Sequence, residues 1–358
     1  MKYILLLVTI VFFNTNTPAQ IPDGYYQDAE GRIRYELKTT LYQIIKNHTS
    51  QTYGSLWEYF KITDNKGNSQ VWDMYTDIPD NTPAYIFYFG DNQCGSYKVE
   101  GDCYNREHSW PKSWFDDAAP MYSDLFHLYP TDGKVNGMRD NYPFAEVGTA
   151  TYTSSNGSKL GSCKSPGYSG IVFEPIDEYK GDFARSYFYM ATRYENIIAN
   201  WEKNESNGDV IMNGTPDQVF EPWYVNLLLK WHKQDPVSEK ETRRNNAVYD
   251  IQKNRNPFID HPEYATLIWG ETTGIKHLKS NQQLEIAQSK NKITISTRAS
   301  TALNQIDICH IQGNIIQIIK INAQETSIEI STDPLPSGIY IIIGYDKEGQ
   351  KYINKIIL

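Results

Sequence analysis

The chain has 358 residues, long for one average domain and suggestive of two. At 40% hydrophobic residues it can bury an ordinary core, and its net charge of −9 excludes a broad basic surface, so any polyanion it handles must meet a local basic patch and bind in a weak, salt-sensitive way. The 27 tyrosines and 8 tryptophans supply both packing and stacking surface.

At the N-terminus Lys2, the apolar run Ile4–Phe13 and Thr17-Pro18-Ala19 read as an export signal, residues 1–19, cleaved after Ala19. The apolar run is too short to span a bilayer, and no other segment is apolar enough to cross one. The first domain is expected over residues 20–270. Leu37, Leu41, Ile44 and Ile45 recur at helical spacing within Ile33–Asn47, and a second helix is expected over Tyr53–Phe60. Val71–Tyr75, Ala84–Tyr88 and Tyr97–Val99 read as strands, with a turn at Asp91, Asn92 and Gly95. Cys94 and Cys103 flank a hairpin and are the expected disulfide in an exported chain; Cys163 is either free or a competitor for Cys103. No CxxC spacing supports a metal role for the cysteines.

Cys103–Arg106 is expected to be a strand that delivers Glu107 and His108, stopped by Pro111. Tyr122–Tyr129 reads as a helix carrying His127, with Ser123 as its N-cap and Pro130 as its stop. Thr149–Gly170, rich in Ser, Gly and Thr, reads as an excursion loop. Helix resumes from Asp182 to Tyr194, over Pro222–Gln234, and from a Ser238 cap to Gln252. Residues 271–282 form a polar linker, and after them the composition shifts to short β-rich runs. The expected architecture is α+β: a helix-rich first domain, then a small all-β sandwich over residues 283–358.

The chemistry concentrates between Arg106 and Asn141, where a carboxylate (Glu107), two imidazoles (His108, His127), amides (Asn136, Asn141) and cations (Arg106, Lys112, Arg139) fall close in sequence. Such a set suits metal-assisted attack on a phosphate ester. An imidazole titrates near neutral pH and can take a proton from water. Neighbours on a strand face opposite ways, so Glu107 and His108 share a site only where the strand ends or twists. Trp110 and Trp114 are candidates for base stacking or for the core. Asp182, Arg185, Arg193, Arg243 and Arg244 read as a structural ion network, and no role is assigned to His48, His232, His261, His277 or His310.

The strings NREHSWPKSWF and SDLFHLYPTDGKVNGMRDNYPF, with FEPIDEYKGDFARSYFYMATRY and IQKNRNPFIDHPEY further on, resemble the bacterial endonuclease I family of secreted, non-specific nucleases. The resemblance runs from about Tyr35 to Gly270 and implies a ββα-metal (His-Me finger) site. By that resemblance His108 is the general base, assisted by Arg139 on a phosphate oxygen and by Asn136. Glu107 and His127 are the ligands of one divalent ion. Mg²⁺ is expected, with Mn²⁺ or Ca²⁺ as alternatives, and a histidine ligand tilts the site toward Mn²⁺. Arg106, Lys112, Asn141 and Arg255 contact substrate, and DNA, RNA or both are cut to 5′-phosphate products. The C-terminal string LPSGIYIIIGYDKEGQKYINKIIL resembles the sorting domain of type IX secretion, which implies the secretion machinery as a partner and a secreted, extracellular or cell-surface location. A monomer is the expected state. The competing readings are a non-catalytic nucleic-acid- or glycan-binding surface protein and a phosphodiesterase of small substrates.

Overall fold

The structure, a computed structural model, describes residues 21–270 and, beyond them, 284–289, 291–297, 303–310, 315–321, 327–332, 335–336, 338–346 and 351–357. The expected export signal and linker lie outside the described residues. The chain divides into two compact units at 271/272.

The first unit opens with helix α1 (Arg34–Ile45), which buries Leu37, Leu41 and Ile45, and α2 (Leu56–Thr63), which buries Leu56 and Phe60. A small hairpin, β1 (Asn65–Gly67) and β2 (Gln70–Val71), follows. The strands expected at Val71–Tyr75 and Ala84–Tyr88 shrink to this hairpin and a single bridge from Gln70 to Tyr88. Asp73 is the cause, because its carboxylate accepts from the Tyr75 amide and turns the chain. No strand forms at Tyr97–Val99, where the Lys98 and Val99 amides donate to Asp102 instead.

Next come β3 (Tyr104–His108) and β4 (Leu128–Asp132), paired antiparallel so that Glu107 faces Tyr129 and His108 faces Leu128, followed directly by α3 (Gly133–Arg139). The helix expected over Tyr122–Tyr129 is therefore corrected to two 3-10 turns and a strand. Asp124 caps the turn by accepting from the Phe126 amide, and the expected cap, Ser123, donates its hydroxyl to the Gln51 carbonyl. Pro130 cannot donate to a helix and sits opposite Arg106 in the ladder. Asp132 starts α3 by accepting from the Val135 amide at 2.8 Å.

Strands β5 (Val147–Thr153), β6 (Lys159–Cys163) and β7 (Ile171–Glu174) form a three-stranded antiparallel sheet where a loop was expected. The threonines of β5 suit a strand, and Gly161 lets β6 approach closely: a Cβ there would meet the Thr149 carbonyl oxygen at 2.1 Å. Helix α4 (Lys180–Arg193) has every residue buried. It can be buried all round because its central charges are paired: Asp182 with Lys240 at 2.7 Å and Arg185 with both oxygens of Glu241. Around it lie α5 (Ser206–Asp209), α6 (Pro222–Gln234), α7 (Glu239–Gln252), α8 (Pro257–Asp260) and α9 (Glu263–Trp269). Ser238 and Glu241 close a reciprocal capping box at the start of α7.

The second unit is all β. Strands β8 (Leu284–Ser289), β9 (Lys292–Thr297) and β12 (Ser327–Ser331) make one antiparallel sheet. Strands β10 (Leu303–His310), β11 (Ile315–Lys320), β13 (Ile339–Asp346) and β14 (Lys351–Ile357) make another. Ile293, Ile295 and Ile330 from the first sheet and Ile306, Ile308 and Ile342 from the second form a common core, which is a sandwich. No helix among the described residues is long and apolar enough to cross a membrane.

Candidate active site

Strand β3 sorts its side chains by alternation. Asn105 and Glu107 face α3: Asn136 Nδ2 donates to Asn105 Oδ1 at 2.7 Å, and Arg139 Nη1 donates to Glu107 Oε1 at 3.1 Å. Asn136 and Arg139 are one helical turn apart, so a single helix face meets a single strand face. Arg106 and His108 share the other face, where both lie against Tyr53. The strand ends at His108, and there both faces open into one cleft of about 520 Å³. Tyr53, Tyr97, Arg106, Glu107, His108, Lys112, Asn136, Arg139 and Asn141 are among its walls.

His108 is held between aromatic rings, with Tyr122 stacked at 5.2 Å and Tyr53 at 5.9 Å between centroids. Its Nε2 lies 3.2 Å from the Tyr122 carbonyl oxygen. A carbonyl only accepts, so Nε2 carries the hydrogen and Nδ1 keeps its lone pair. Burial, reinforced by the neighbouring His127 ring, holds the His108 pKa well below the usual 6.5, so the ring is neutral at neutral pH.

Glu107 is buried, and burial pushes its carboxyl up to about 7 against the opposing pull of Arg139 and the Tyr75 hydroxyl. Oε1 takes the hydrogen bonds, from Tyr75 at 2.7 Å and from Arg139; among the described residues none reaches Oε2. The Asn136 amide nitrogen is committed to Asn105, and no donor among the described residues reaches Asn136 Oδ1. Glu107 Oε2 and Asn136 Oδ1 are thus two oxygen donors without hydrogen-bond partners on the same cleft, the chemistry a hard divalent cation takes together with waters.

His127 departs from expectation. It is fully buried behind His108, at 5.5 Å between ring centroids, it does not line the cleft, and its Nε2 is committed to the Met121 carbonyl at 2.7 Å. The residues therefore fit an oxygen-ligated cation on Glu107 and Asn136 and do not fit one held by His127, and the reason for favouring Mn²⁺ falls with it. Among the described residues no cluster of three or more His, Cys, Asp or Glu side chains is arranged to hold a metal.

Arg139 is also corrected. It is 1% exposed, and its donors go inward: to Glu107, to the His108 carbonyl at 2.9 Å and to the Ser109 carbonyl at 2.5 Å. It fixes the end of β3 and is not free to clamp a phosphate. Arg255 is buried outside the cleft, bound twice to Asp260 at 2.6 and 2.8 Å and once to Asn246, which removes it from substrate contact. Trp110 and Trp114 are fully buried core residues. Arg106 remains on the cleft. Its guanidinium lies 3.5 Å from the Tyr53 ring centroid, donates to the Tyr53 carbonyl, and meets no carboxylate among the described residues. Lys112 lines the cleft too but shares its charge with Asp117, and Asn141 is tied to Asn207 and Ser113.

Tyr53, Tyr97 and Asn105 were missed. Asn105 was readable, two residues before Glu107 on one strand face; Tyr53 and Tyr97 lie far from the motif in sequence, and only the bracketing of Tyr97 by Cys94 and Cys103 hinted at it. Those two cysteines form a disulfide, whereas Cys163 and Cys309 are unpaired.

The family model described as Endonuclease I matches residues 33–263, and that described as Secretion system C-terminal sorting domain matches residues 289–358. The chain is 38% identical over 260 residues to an extracellular ribonuclease of Bacillus amyloliquefaciens, covering 71% of this chain and 80% of the relative. It is 37% identical over 257 residues to an extracellular ribonuclease of Bacillus subtilis, covering 69% and 78%. To a periplasmic deoxyribonuclease of Aeromonas hydrophila it is 27% identical over 142 residues, covering 39% and 48%.

Proposed function

This chain belongs to the endonuclease I family and is a secreted nuclease with a C-terminal secretion sorting domain, and from that premise we propose that its cleft hydrolyses phosphodiester bonds with His108 as general base. The observation that carries the proposal is the His108 ring, pinned through Nε2–H to a carbonyl, with Nδ1 free on a cleft that Glu107 and Asn136 also line; burial keeps the ring neutral. Nδ1 takes the proton from the attacking water. Glu107 and Asn136 would hold one divalent cation, with Mg²⁺ suited to so few protein oxygens and several waters. When bound there, the cation supplies charge neutralisation at the scissile phosphate and at the departing 3′ oxygen, leaving the phosphate on the 5′ side. Arg106 meets a backbone phosphate, because its cation is uncompensated and faces the cleft.

RNA is the leading substrate, since the relatives that match most of the chain are named ribonucleases; DNA is the second, from the deoxyribonucleases that match a shorter stretch. Metal binding tests the donor set. Calorimetric titration with Mn²⁺, as a reporter for Mg²⁺, is expected to show one site that Glu107→Gln and Asn136→Ala each weaken at least tenfold and that His127→Gln leaves within about threefold. The opposite order would put the metal on His127 and overturn the assignment.

A further inference from the structure

Among the described residues Tyr97 is the one cleft tyrosine on which no other ring or cation packs, and it has a purpose-built seat. It lies along α3, where Gly133 and Gly137 stand one turn apart on the same helix face. A Cβ at Gly133 would meet Tyr97 Cδ1 at 2.6 Å, and one at Gly137 would meet the Tyr97 hydroxyl at 2.1 Å, so any larger residue at either position displaces the ring. Two glycines in a seven-residue helix weaken it, so the close contact with Tyr97 is what they provide. The segment that carries Tyr97 is closed by the Cys94–Cys103 disulfide. It is tied down further by the Gly101 amide to Asp132 at 2.8 Å and the Gly133 amide to the Cys103 carbonyl at 2.9 Å. The ring is half-buried, and among the described residues no other ring or cation packs on it. Tyr53, the other cleft tyrosine, is already covered by Arg106, Tyr122 and His108.

Tyr97 and Asn136, which offers Oδ1 to the reaction centre, line the same cleft, and the helix that seats the ring also carries Asn136. We propose that Tyr97 is a substrate-binding platform on which the nucleobase next to the scissile phosphate stacks, making the cleft a reader of unpaired bases as well as of phosphates. This rests on the assignment of the cleft as the hydrolytic site. A base drawn onto Tyr97 has left its own stack, so single strands and frayed ends are preferred over intact duplex.

The test uses the full chain and a short single-stranded oligonucleotide with one cleavable phosphodiester, its other linkages being methylphosphonates. Two companions carry an abasic residue on the 5′ or the 3′ side of that bond. For the wild type, one abasic companion is expected to lose about 5- to 150-fold in kcat/KM, mostly through KM. Tyr97→Ala should lose a similar factor on the parent and nothing further on that companion, while Tyr97→Phe should behave as wild type. Equal loss on parent and abasic substrates in Tyr97→Ala, or a wild type indifferent to both abasic sites, would mean that Tyr97 only packs on the helix and would overturn the proposal. No cleavage by the wild type of the parent or of its all-phosphodiester counterpart would overturn the hydrolytic reading itself, and the platform with it.

Discussion

Arg139→Met is the most exposing single substitution. The side chain is nearly isosteric but removes a cation that Glu107, the His108 carbonyl and the Ser109 carbonyl all lean on. Leaving buried acceptors without their donor costs about 1–3 kcal/mol. Glu107 can escape by binding a proton, and because burial has already raised its carboxyl to about 7 in the wild type, that escape adds little at pH 7. The expected loss is therefore about 1–3 kcal/mol at pH 7, a sizeable share of a stability of about 5–15 kcal/mol. The sign with pH is definite. In the wild type Glu107 already holds its proton up to about 7; in the variant it holds it higher, so above pH 7 the folded variant binds more protons than the folded wild type. The deficit then grows by up to about 1.4 kcal/mol between pH 7 and 8. All eight tryptophans lie between Trp57 and Trp269, so tryptophan fluorescence during urea unfolding of the intact chain reports this unit alone. A deficit under about 1 kcal/mol, or one that does not change with pH, would refute the reasoning that Arg139 neutralises Glu107.

Asp124 is fully buried; burial pushes its carboxyl up, but the His48 and His127 rings and hydrogen bonds from Gln252 and the Phe126 amide outweigh it and hold it at about 2. Measured against the ordinary 3.8, this contributes about 2 kcal/mol that is present above about pH 5 and lost as pH falls through 2. A pH series of urea melts should show that slope in the wild type and its absence in Asp124→Asn. Replacing Cys94 and Cys103 together by serine opens a loop whose ends are 9 residues apart and should cost about 2–3 kcal/mol by the same unfolding assay. The same change should raise KM more than it lowers kcat, because Tyr97 loses its fixed seat. Arg106→Gln should raise KM and flatten the dependence of log kcat/KM on log salt by about 0.7–0.9, the signature of one lost phosphate contact.

The strand that ends in Glu107 and His108 was legible because alternation and Pro111 are local signals. The helix that completes the site was not. Gly133 and Gly137 argue against a helix by propensity, and their reason is Tyr97, which arrives from more than thirty residues upstream. With α3 unseen, the helix was placed one element too early, around His127, and the metal assignment followed it. Arg139 and Arg255 show a second limit: an arginine near a phosphate motif reads as a phosphate ligand, and only burial and partners reveal that its fork is spent inside the protein. The β5–β7 sheet was hidden because Ser, Gly and Thr serve loops and tight strand pairs alike. Of the two expected caps Ser238 holds, in a box closed by Glu241, whereas Ser123 gives way to Asp124.

His108 as the base of a metal-dependent hydrolysis is tested by cleavage of RNA and of plasmid DNA by the wild type and by His108→Ala, each with Mg²⁺ or with EDTA. Mg²⁺-dependent cleavage is expected, falling about 10²- to 10⁴-fold in His108→Ala while fluorescence and circular dichroism stay those of the folded protein. Cleavage by His108→Ala at the wild-type rate, or an undiminished rate in EDTA, would contradict that role.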